Sequence, residues 1–257
     1  MSDELAALLG KRFIERRDVK AVQYPDGHYE PHLADRKNTD SERIGFTMSD
    51  LRAHLAGTAT YGHYLISPEG NCRVICFDVD LASKGTLVDP EGAEHGDIPL
   101  RDYWRAKPND AHGKKQLITE LRCAAEALAL RAKRLLECPV AVTYSGSKGM
   151  HAYAFIGSTP SIDARAAALA VIESFDGYEA FRGVNFFRAT EGFKNVEIEA
   201  YPKQDNLDGK DLGNLLRLPL GVHRKTGSPG FFVDLCQPYD VLVETDPLPI
   251  LTDGAEW

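Results

Sequence analysis

The amino-acid sequence predicts a mixed α/β fold, built either as one large domain or as two closely packed lobes. The chain has 257 residues, and 43% of them are apolar, which is enough to bury a substantial core. Stretches with helical periodicity alternate with short β-rich stretches. Several β-rich stretches follow one another across short turns, which indicates antiparallel hairpins rather than a regularly wound parallel sheet.

The first predicted elements lie in the N-terminal half. A helix is expected over 47–57, with a capping residue at Ser49, and a strand is expected over 61–68. Residues 73–80 are rich in β-forming side chains. The segment 81–110 combines glycine, proline and charged residues, so we interpret it as a long loop or a small insertion.

The second half begins with a long amphipathic helix. Its apolar positions recur at helical spacing over 113–137, and Pro139 ends it. The remaining elements are two strands joined by a glycine-containing turn, a second helix and two further strands, predicted over 140–144, 151–156, 162–175, 195–201 and 215–220. No internal repeat is visible, so we expect compact architecture.

Composition limits the class of protein. No apolar run is long enough to cross a bilayer and the first residues lack a secretory signal, so we expect a soluble, cytoplasmic protein with no membrane partner. The five cysteines form no Cys-x-x-Cys pair, so we expect reduced, mostly buried thiols and no zinc site. The net charge of -8 argues against a general nucleic-acid coat but permits a local basic groove.

Two acids stand two residues apart in the β-rich stretch 73–80. The side-chain period of a strand puts Asp78 and Asp80 on one face and Phe77 and Val79 on the other. Carboxylates brought together in this way suit Mg²⁺ or Mn²⁺, because these ions bind carboxylate oxygens and keep positions for substrate phosphates. Taken alone, the same pattern also fits an alternating surface strand.

A glycine-rich turn joins the strands predicted over 140–144 and 151–156. Its sequence, SGSKGMH over 145–151, offers amides and hydroxyls to phosphate oxygens, with Lys148 as a mobile cation. The turn is not a Walker loop, because the order Gly-x-x-x-x-Gly-Lys-Ser/Thr is absent and a strand follows. An ordinary exposed hairpin turn has a similar composition.

A third acidic strand and a second basic cluster follow. Glu197 and Glu199 alternate with apolar residues in 196–201, and a third carboxylate from a separate strand is what completes a two-metal site. A solvated strand face is the alternative. The stretch 215–227 then supplies a concentration of basic and imidazole side chains, which marks an anion site in so acidic a chain: Arg217, His223, Arg224 and Lys225.

These motifs stand in the order found in one family, and the chain resembles the catalytic domain of the archaeo-eukaryotic primase superfamily. Residues 78–80 are similar to its first metal motif, 145–151 to its Ser-Gly-x-x-Gly-x-His triphosphate motif, and 217–223 to the basic segment after its third acidic motif. The resemblance covers most of the chain, but 81–110 matches nothing in it.

The prokaryotic branch of the superfamily is the most similar. Its members are primase-polymerases of mobile elements, conflict systems and CRISPR loci, and the similar stretches are 13–31, 199–204 and 213–216. The resemblance implies a single catalytic domain over 1–257 with an RRM-like sheet packed against an N-terminal α/β unit. It also implies prokaryotic, phage or mobile-element origin.

The resemblance assigns roles to the residues. Asp78 and Asp80 are expected to bind two Mg²⁺ or Mn²⁺ ions with a third carboxylate. Glu197, Glu199 and Asp205 all lie near the matching motif, and Glu199 is preferred because apolar residues flank it. The residues expected to hold the incoming triphosphate are Ser145, Ser147, Lys148, His151, Arg217, His223 and Lys225.

The leading hypothesis is therefore a DNA-templated nucleotidyltransferase. Its partners would be a single-stranded DNA template and primer, dNTPs or NTPs, and a helicase or a CRISPR or mobile-element protein. A metal-dependent nuclease or phosphoesterase could also use paired acids and histidine. A non-catalytic RRM-like nucleic-acid-binding module would present exposed stacking aromatics, and its acids would not need to converge.

Overall fold

A computed structural model describes residues 3–35, 37–38, 41–106, 110–189 and 192–253. Within these ranges the chain forms six helices and thirteen strands, and every strand pairing is antiparallel. The mixed α/β prediction is confirmed. No helix of the described ranges is long and apolar enough to cross a membrane.

An N-terminal unit is built around a four-stranded sheet of order β12-β3-β1-β2. Strand β12 comes from late in the chain and pairs with β3. The elements of this unit are α1 (Asp3–Phe13), β1 (Ala21–Gln23), β2 (Tyr29–Pro31), α2 (Met48–Leu55), β3 (Tyr61–Tyr64) and β12 (Leu215–Arg217).

The second unit is a seven-stranded sheet of order β13-β7-β8-β4-β11-β10-β9. Its strands are β4 (Asn71–Leu81), β7 (Val140–Tyr144), β8 (Gly149–Pro160), β9 (Tyr178–Ala180), β10 (Phe186–Ala189), β11 (Val196–Tyr201) and β13 (Phe231–Phe232). Its helices are α4 (Ala111–Leu136) and α5 (Ser161–Glu173). In chain order β4-α4-β7-β8-α5-β11, the first strand lies between the third and the fourth, which is the split βαβ arrangement of RRM-like sheets.

The two faces of this sheet are covered differently. Ile75, Phe77 and Val79 of β4 are fully buried with apolar residues of α4 and α5. On the other face Val74 and Cys76 are buried in a second core shared with α1. Because side chains alternate along a strand, the face that carries Val74 and Cys76 continues to Asp78 and Asp80.

Several boundaries differ from the predictions, and three of them have a clear local cause. The capping residue of α2 is Thr47 and not Ser49: the Thr47 hydroxyl accepts from the Asp50 amide at 3.2 Å, and Asp50 accepts from the Thr47 amide at 2.8 Å. The strand predicted over 61–68 ends at Tyr64, since the chain turns at 67–70. The strand predicted over 215–220 ends at Arg217, shortly before Pro219, which has no amide hydrogen to donate.

The segment 81–110 is not an unstructured loop. It contains the hairpin of β5 (Gly85–Val88) and β6 (Glu94–Ile98), followed by α3 (Leu100–Ala106), while residues 107–109 lie outside the described ranges. The sequence did not predict β6 because most of its residues are exposed and polar, so it has no apolar alternation. The last helix, α6 (Pro247–Asp253), was not predicted either.

All five cysteines are free. The prediction of mostly buried thiols holds fully for Cys72 and Cys76. Cys123 and Cys138 are half-buried, and Cys236 is exposed.

Candidate active site

Two neighbouring strands bring acidic side chains together on the open part of the sheet face, and a third strand adds a histidine. Asp78 of β4 lies directly opposite His151 of β8 on one side and Glu199 of β11 on the other. One step along, Asp80 lies opposite Glu197. Directly opposite side chains on one face have Cβ atoms about 4.5–5.5 Å apart, so the acids form a compact block. The predicted shared face of Asp78 and Asp80 is therefore present.

The environment of Asp78 disfavours its negative charge. Burial, together with the charges of Asp80 and Glu199, raises the pKa of the Asp78 carboxyl to about 7. His151 Nε2 lies 3.5 Å from Asp78 Oδ1, but it does not supply a positive charge. Burial and the Arg217 guanidinium lower the pKa of His151 to about 3, so this imidazole is neutral at pH 7. Lys148 and Lys203 act in the opposite direction, but they do not restore the ordinary pKa of Asp78.

The other carboxylates already face cations. Lys148 forms an ion pair and hydrogen bond with Asp80, and Lys203 forms an ion pair with Glu199. Glu199 also accepts a hydrogen bond from the Tyr201 hydroxyl at 2.9 Å. The alternative third acids are engaged elsewhere, since Glu197 lies 3.5 Å from Arg182 and 3.9 Å from Arg101, and Asp205 bonds Arg165 at 2.9 Å.

A cavity of about 230 Å³ opens beside this acidic block. It brings together eight of the ten residues that the sequence predicted for the site: Asp78, Asp80, Ser145, Ser147, Lys148, His151, Arg217 and His223. The two others lie outside its lining. Glu199 is one strand away from Asp78, and Lys225 lies beside Gly27 at the rim.

Two turns meet at one wall of the cavity. Gly146 of the glycine-rich turn has φ +73°, and a Cβ there would lie 2.6 Å from the Ser228 carbonyl oxygen, so only glycine allows this approach. The Thr226 hydroxyl donates to the Gly146 carbonyl at 2.7 Å. The glycine-rich turn and the basic segment after β12 therefore stand against each other.

Arg217 reaches the cavity from the N-terminal sheet. Its guanidinium donates to the Gly221 carbonyl at 3.4 Å, and among the described side chains no carboxylate lies within ion-pairing distance of it. Burial lowers the pKa of Arg217. Burial and the charge of Arg217 likewise lower the pKa of His223 to about 4. A shielded guanidinium of this kind attracts an anion.

The β1–β2 hairpin contributes residues that sequence reasoning missed. Gln23, Gly27 and Tyr29 line the cavity. The Tyr29 hydroxyl oxygen is buried and has no hydrogen-bond partner among the described residues, and burial raises its pKa. The Pro-Asp-Gly turn at 25–27 is a recognisable hairpin signal, but nothing in the sequence places this hairpin over the site.

Asp78, Asp80 and Glu199 are the candidate metal ligands, and all three belong to the acidic block. Within the described ranges, no group of three or more His, Cys, Asp or Glu side chains is arranged to hold a metal ion. The carboxylate oxygens of Asp78, Asp80 and Glu199 are nevertheless the hard donors that Mg²⁺ and Mn²⁺ prefer. Burial, Asp80 and Glu199 raise the pKa of Asp78, and a bound divalent cation would lower it. The donor set therefore fits a divalent cation, provided that Lys148 and Lys203 turn away.

The fold and the site define an archaeo-eukaryotic primase domain. The chain belongs to the family described as the TOTE conflict system, Archaeo-Eukaryotic Primase domain, whose model matches residues 6–243. The resemblance inferred from the motifs is thus confirmed, and it places the chain in a family of nucleotidyltransferases of the primase-polymerase type.

Among solved structures, the chain is similar to the polymerase domain from Mycobacterium tuberculosis Ligase D in complex with DNA. The sequence identity is 14% and the TM-score is 0.48, over 97% of this chain and 85% of that one. No curated protein matches the chain.

Proposed function

We propose that the chain is a DNA-templated nucleotidyltransferase that synthesises primers and extends them from nucleoside triphosphates. The observation that carries this proposal is the direct contact between an acidic block and a basic cavity. Asp78 and Asp80 form one wall of the cavity, and Lys148 and Arg217 lie in the same lining. Nucleotidyl transfer requires this pairing, because metals and cations must share the charge of one triphosphate.

The cavity supplies donors suited to a triphosphate. Lys148 and Arg217 offer positive charge, while Ser145 and Ser147 offer hydroxyl and amide donors. His151 and His223 are neutral at pH 7, because their pKa values are about 3 and about 4, and each donates one N–H without adding charge. Lys225 at the rim extends the basic surface outwards.

Asp78, Asp80 and Glu199 would hold two divalent cations, Mg²⁺ or Mn²⁺. Such ions make the attacking 3′-hydroxyl more acidic and stabilise the leaving pyrophosphate. Lys148 and Lys203, which bond Asp80 and Glu199 in the free protein, would then be released. In that state Lys148 can turn from Asp80 towards the triphosphate, because both residues line the cavity.

Two alternatives explain less of the site. A nuclease or phosphoesterase would use the carboxylates, but it has no need of a basic pocket beside them. A non-catalytic RRM-like module has no need of converging acids, yet Glu199 and Asp78 stand in register on the open face. The raised pKa of Asp78 indicates that this arrangement lowers the free energy of unfolding at neutral pH. Such costly arrangements are typical of functional sites.

The test is product analysis on single-stranded DNA. Primed and unprimed templates are incubated with Mg²⁺ or Mn²⁺ and with dNTPs or NTPs in turn. The expected result is labelled product with wild type and none with the Asp78→Asn, Asp80→Asn double variant. The control is Asp163→Asn with Glu173→Gln on α5, where both acids are exposed and distant from the open face. Shortening of the DNA would identify a nuclease, and binding without turnover a non-catalytic module.

A further inference from the structure

The open face of the seven-stranded sheet continues beyond the acidic block. Phe186 of β10 lies opposite Glu199, and Arg188 lies opposite Glu197. Because directly opposite residues point to the same face, Phe186 and Arg188 extend the rows that Asp78 and Asp80 begin. The triphosphate cavity lies on the β7–β8 side of Asp78, so this surface lies on the other side.

Exposed arginines are concentrated on this second surface. Arg182 and Arg188 are 54% and 58% exposed, and Arg101 is 43% exposed at the border with Asp80. The Phe181 ring lies beneath two of them, with its centroid 4.9 Å from Arg182 Cζ and 5.7 Å from Arg188 Cζ. Cation–π contacts with the ring keep both guanidiniums over the face.

These arginines remain available to a ligand. Arg182 Nη1 lies 3.5 Å from Glu197 Oε2, and Arg188 Nε donates to Glu179 Oε1 at 2.7 Å. Each of these contacts uses only part of a guanidinium that has five N–H donors. The Arg188–Glu179 pair is exposed on both sides and therefore weak, and Arg182 is 54% exposed beside the half-buried Glu197, so a phosphate group can compete for both arginines.

The geometry of nucleotidyl transfer indicates which ligand binds on the β11 and β10 side of Asp78. The 3′-hydroxyl attacks the α-phosphate in line with the leaving pyrophosphate, so attacker and leaving group lie on opposite sides of the reacting phosphorus. The pyrophosphate departs into the basic cavity lined by Lys148, His151 and Arg217. The strand that carries the 3′-hydroxyl must therefore approach Asp78 from the side of β11 and β10.

From this geometry we propose that the surface formed by Phe181, Arg182, Phe186 and Arg188 binds the primer strand, whose 3′ end reaches Asp78 while it is paired with the template. The inference rests on the proposed function. Backbone phosphates of the primer strand contact Arg182 and Arg188, whose guanidiniums the Phe181 ring supports. Arg101, between this surface and Asp80, contacts the last phosphates before the 3′ end.

The test compares two double variants of the protein. Arg182→Ala with Arg188→Ala removes the proposed contacts, and Lys133→Ala with Arg134→Ala removes two cations from α4, which packs against the opposite face. With the first variant the KM for primer rises about ten-fold or more, while the KM for nucleotide stays within about two-fold. With the α4 variant neither value changes. Arg182→Lys with Arg188→Lys retains most of the primer affinity, because the charges remain.

Salt dependence gives a second readout that needs no turnover. Each phosphate contact on a single strand contributes about 0.7 to the slope of log K against log salt, so loss of two contacts lowers the slope by about 1.4. Fluorescence anisotropy of a labelled oligonucleotide at several salt concentrations measures this slope. The inference is wrong if the Arg182, Arg188 variant and the α4 variant have the same KM for primer and the same salt slope. It is also wrong if the Arg182, Arg188 variant raises the KM for nucleotide as much as the KM for primer. Absence of nucleotide addition by wild type would instead overturn the proposed function, and the anisotropy result still decides whether this surface binds the strand.

Discussion

Glu199 of β11 lies directly opposite Asp78 of β4, so two acids distant in sequence are neighbours across one strand pair. Asp78 in turn lies opposite His151 of β8. The central strands of the RRM-like sheet therefore carry the candidate chemistry in one row. Its register is set by the buried residues on the reverse face, because a slip of one residue would expose Phe77 and Val79.

This register makes Glu199 the expected third metal ligand. Glu199→Gln should lower nucleotide addition by about 100-fold or more, because the proposed metal site loses one of its three carboxylates. Glu197→Gln should change the rate only a few-fold, since Arg101 and Arg182 already face Glu197. Single-turnover primer extension at saturating nucleotide compares the two variants. The opposite ranking would assign the third ligand to Glu197.

The raised pKa of Asp78 predicts a pH-dependent stability. In the unfolded chain the Asp78 carboxyl has the ordinary aspartate pKa of 3.8, so it is ionised above about pH 4, whereas in the folded protein it keeps its proton up to about pH 7. The contribution of Asp78 to the free energy of unfolding therefore falls as the pH rises from about 4 to about 7, and it is constant above that. In Asp78→Asn this decrease is absent.

Thermal unfolding from pH 4.5 to 8 measures the effect. We expect the Tm of Asp78→Asn, relative to wild type, to increase with pH until about 7. Mn²⁺ added at pH 8 should raise the Tm of wild type and not of the variant, because the ion binds the native carboxylates. A Tm difference that is constant with pH would mean that Asp78 is not the group that titrates.

The sequence predicted the parts of the site that depend on local pattern. Strand alternation placed Asp78 and Asp80 on one face, and motif order indicated the RRM-like sheet and the basic turn at 145–151. What it could not supply was register between strands, which decides how Glu197 and Glu199 stand relative to Asp78. Register depends on packing against residues far apart in the sequence.

Long-range contacts also explain what was missed. Tyr29 lines the cavity because the β1–β2 hairpin closes over it. This side chain does not differ locally from an ordinary strand residue. The hairpin of β5 and β6 was not predicted because β6 is mostly exposed and has no apolar face, so it lacks the alternation that marks a strand.

The corrected helix cap can be tested directly. Thr47→Ala should lower the free energy of unfolding by about 1 kcal/mol, because the Asp50 amide loses its side-chain acceptor. Ser49→Ala should change it by about 0.5 kcal/mol or less, since Ser49 is exposed and already inside the first turn. Urea denaturation measures the free energy of unfolding of both variants. A larger loss for Ser49→Ala would place the cap two residues later.

The buried Tyr29 hydroxyl predicts a separation of stability and binding. In Tyr29→Phe the free protein should be as stable as wild type or slightly more so, because the hydroxyl has no partner among the described residues. Triphosphate affinity should fall by about 0.5–1.5 kcal/mol, the contribution of one hydrogen bond. Calorimetric titration and thermal unfolding provide both values. Lower stability with unchanged affinity would mean that the hydroxyl bonds within the protein.

Two shielded arginines allow a matched comparison of structural and functional charge. Arg122 of α4 is fully buried and donates to four backbone carbonyls, those of Asp234, Gln237, Pro238 and Val241. Arg217 lines the cavity and donates only to Gly221 at 3.4 Å among the described residues. The protein uses both Nη atoms of Arg122, although its Nε has no partner, whereas Arg217 bonds a single carbonyl among the described residues.

Substitution by methionine should therefore have opposite effects at the two positions. Arg122→Met should lower the free energy of unfolding by about 3 kcal/mol or more, because several buried carbonyls lose their donor. Arg217→Met should leave stability unchanged or raise it by up to about 1 kcal/mol, since a poorly solvated charge is removed.

The triphosphate affinity of Arg217→Met should fall about ten-fold or more, while template affinity measured by anisotropy stays unchanged. Arg217→Lys should recover only part of the loss, because lysine cannot form the two parallel bonds of a guanidinium. A loss of stability comparable to that of Arg122→Met would make Arg217 a structural residue, and equal losses for template and nucleotide would move it to the strand-binding surface.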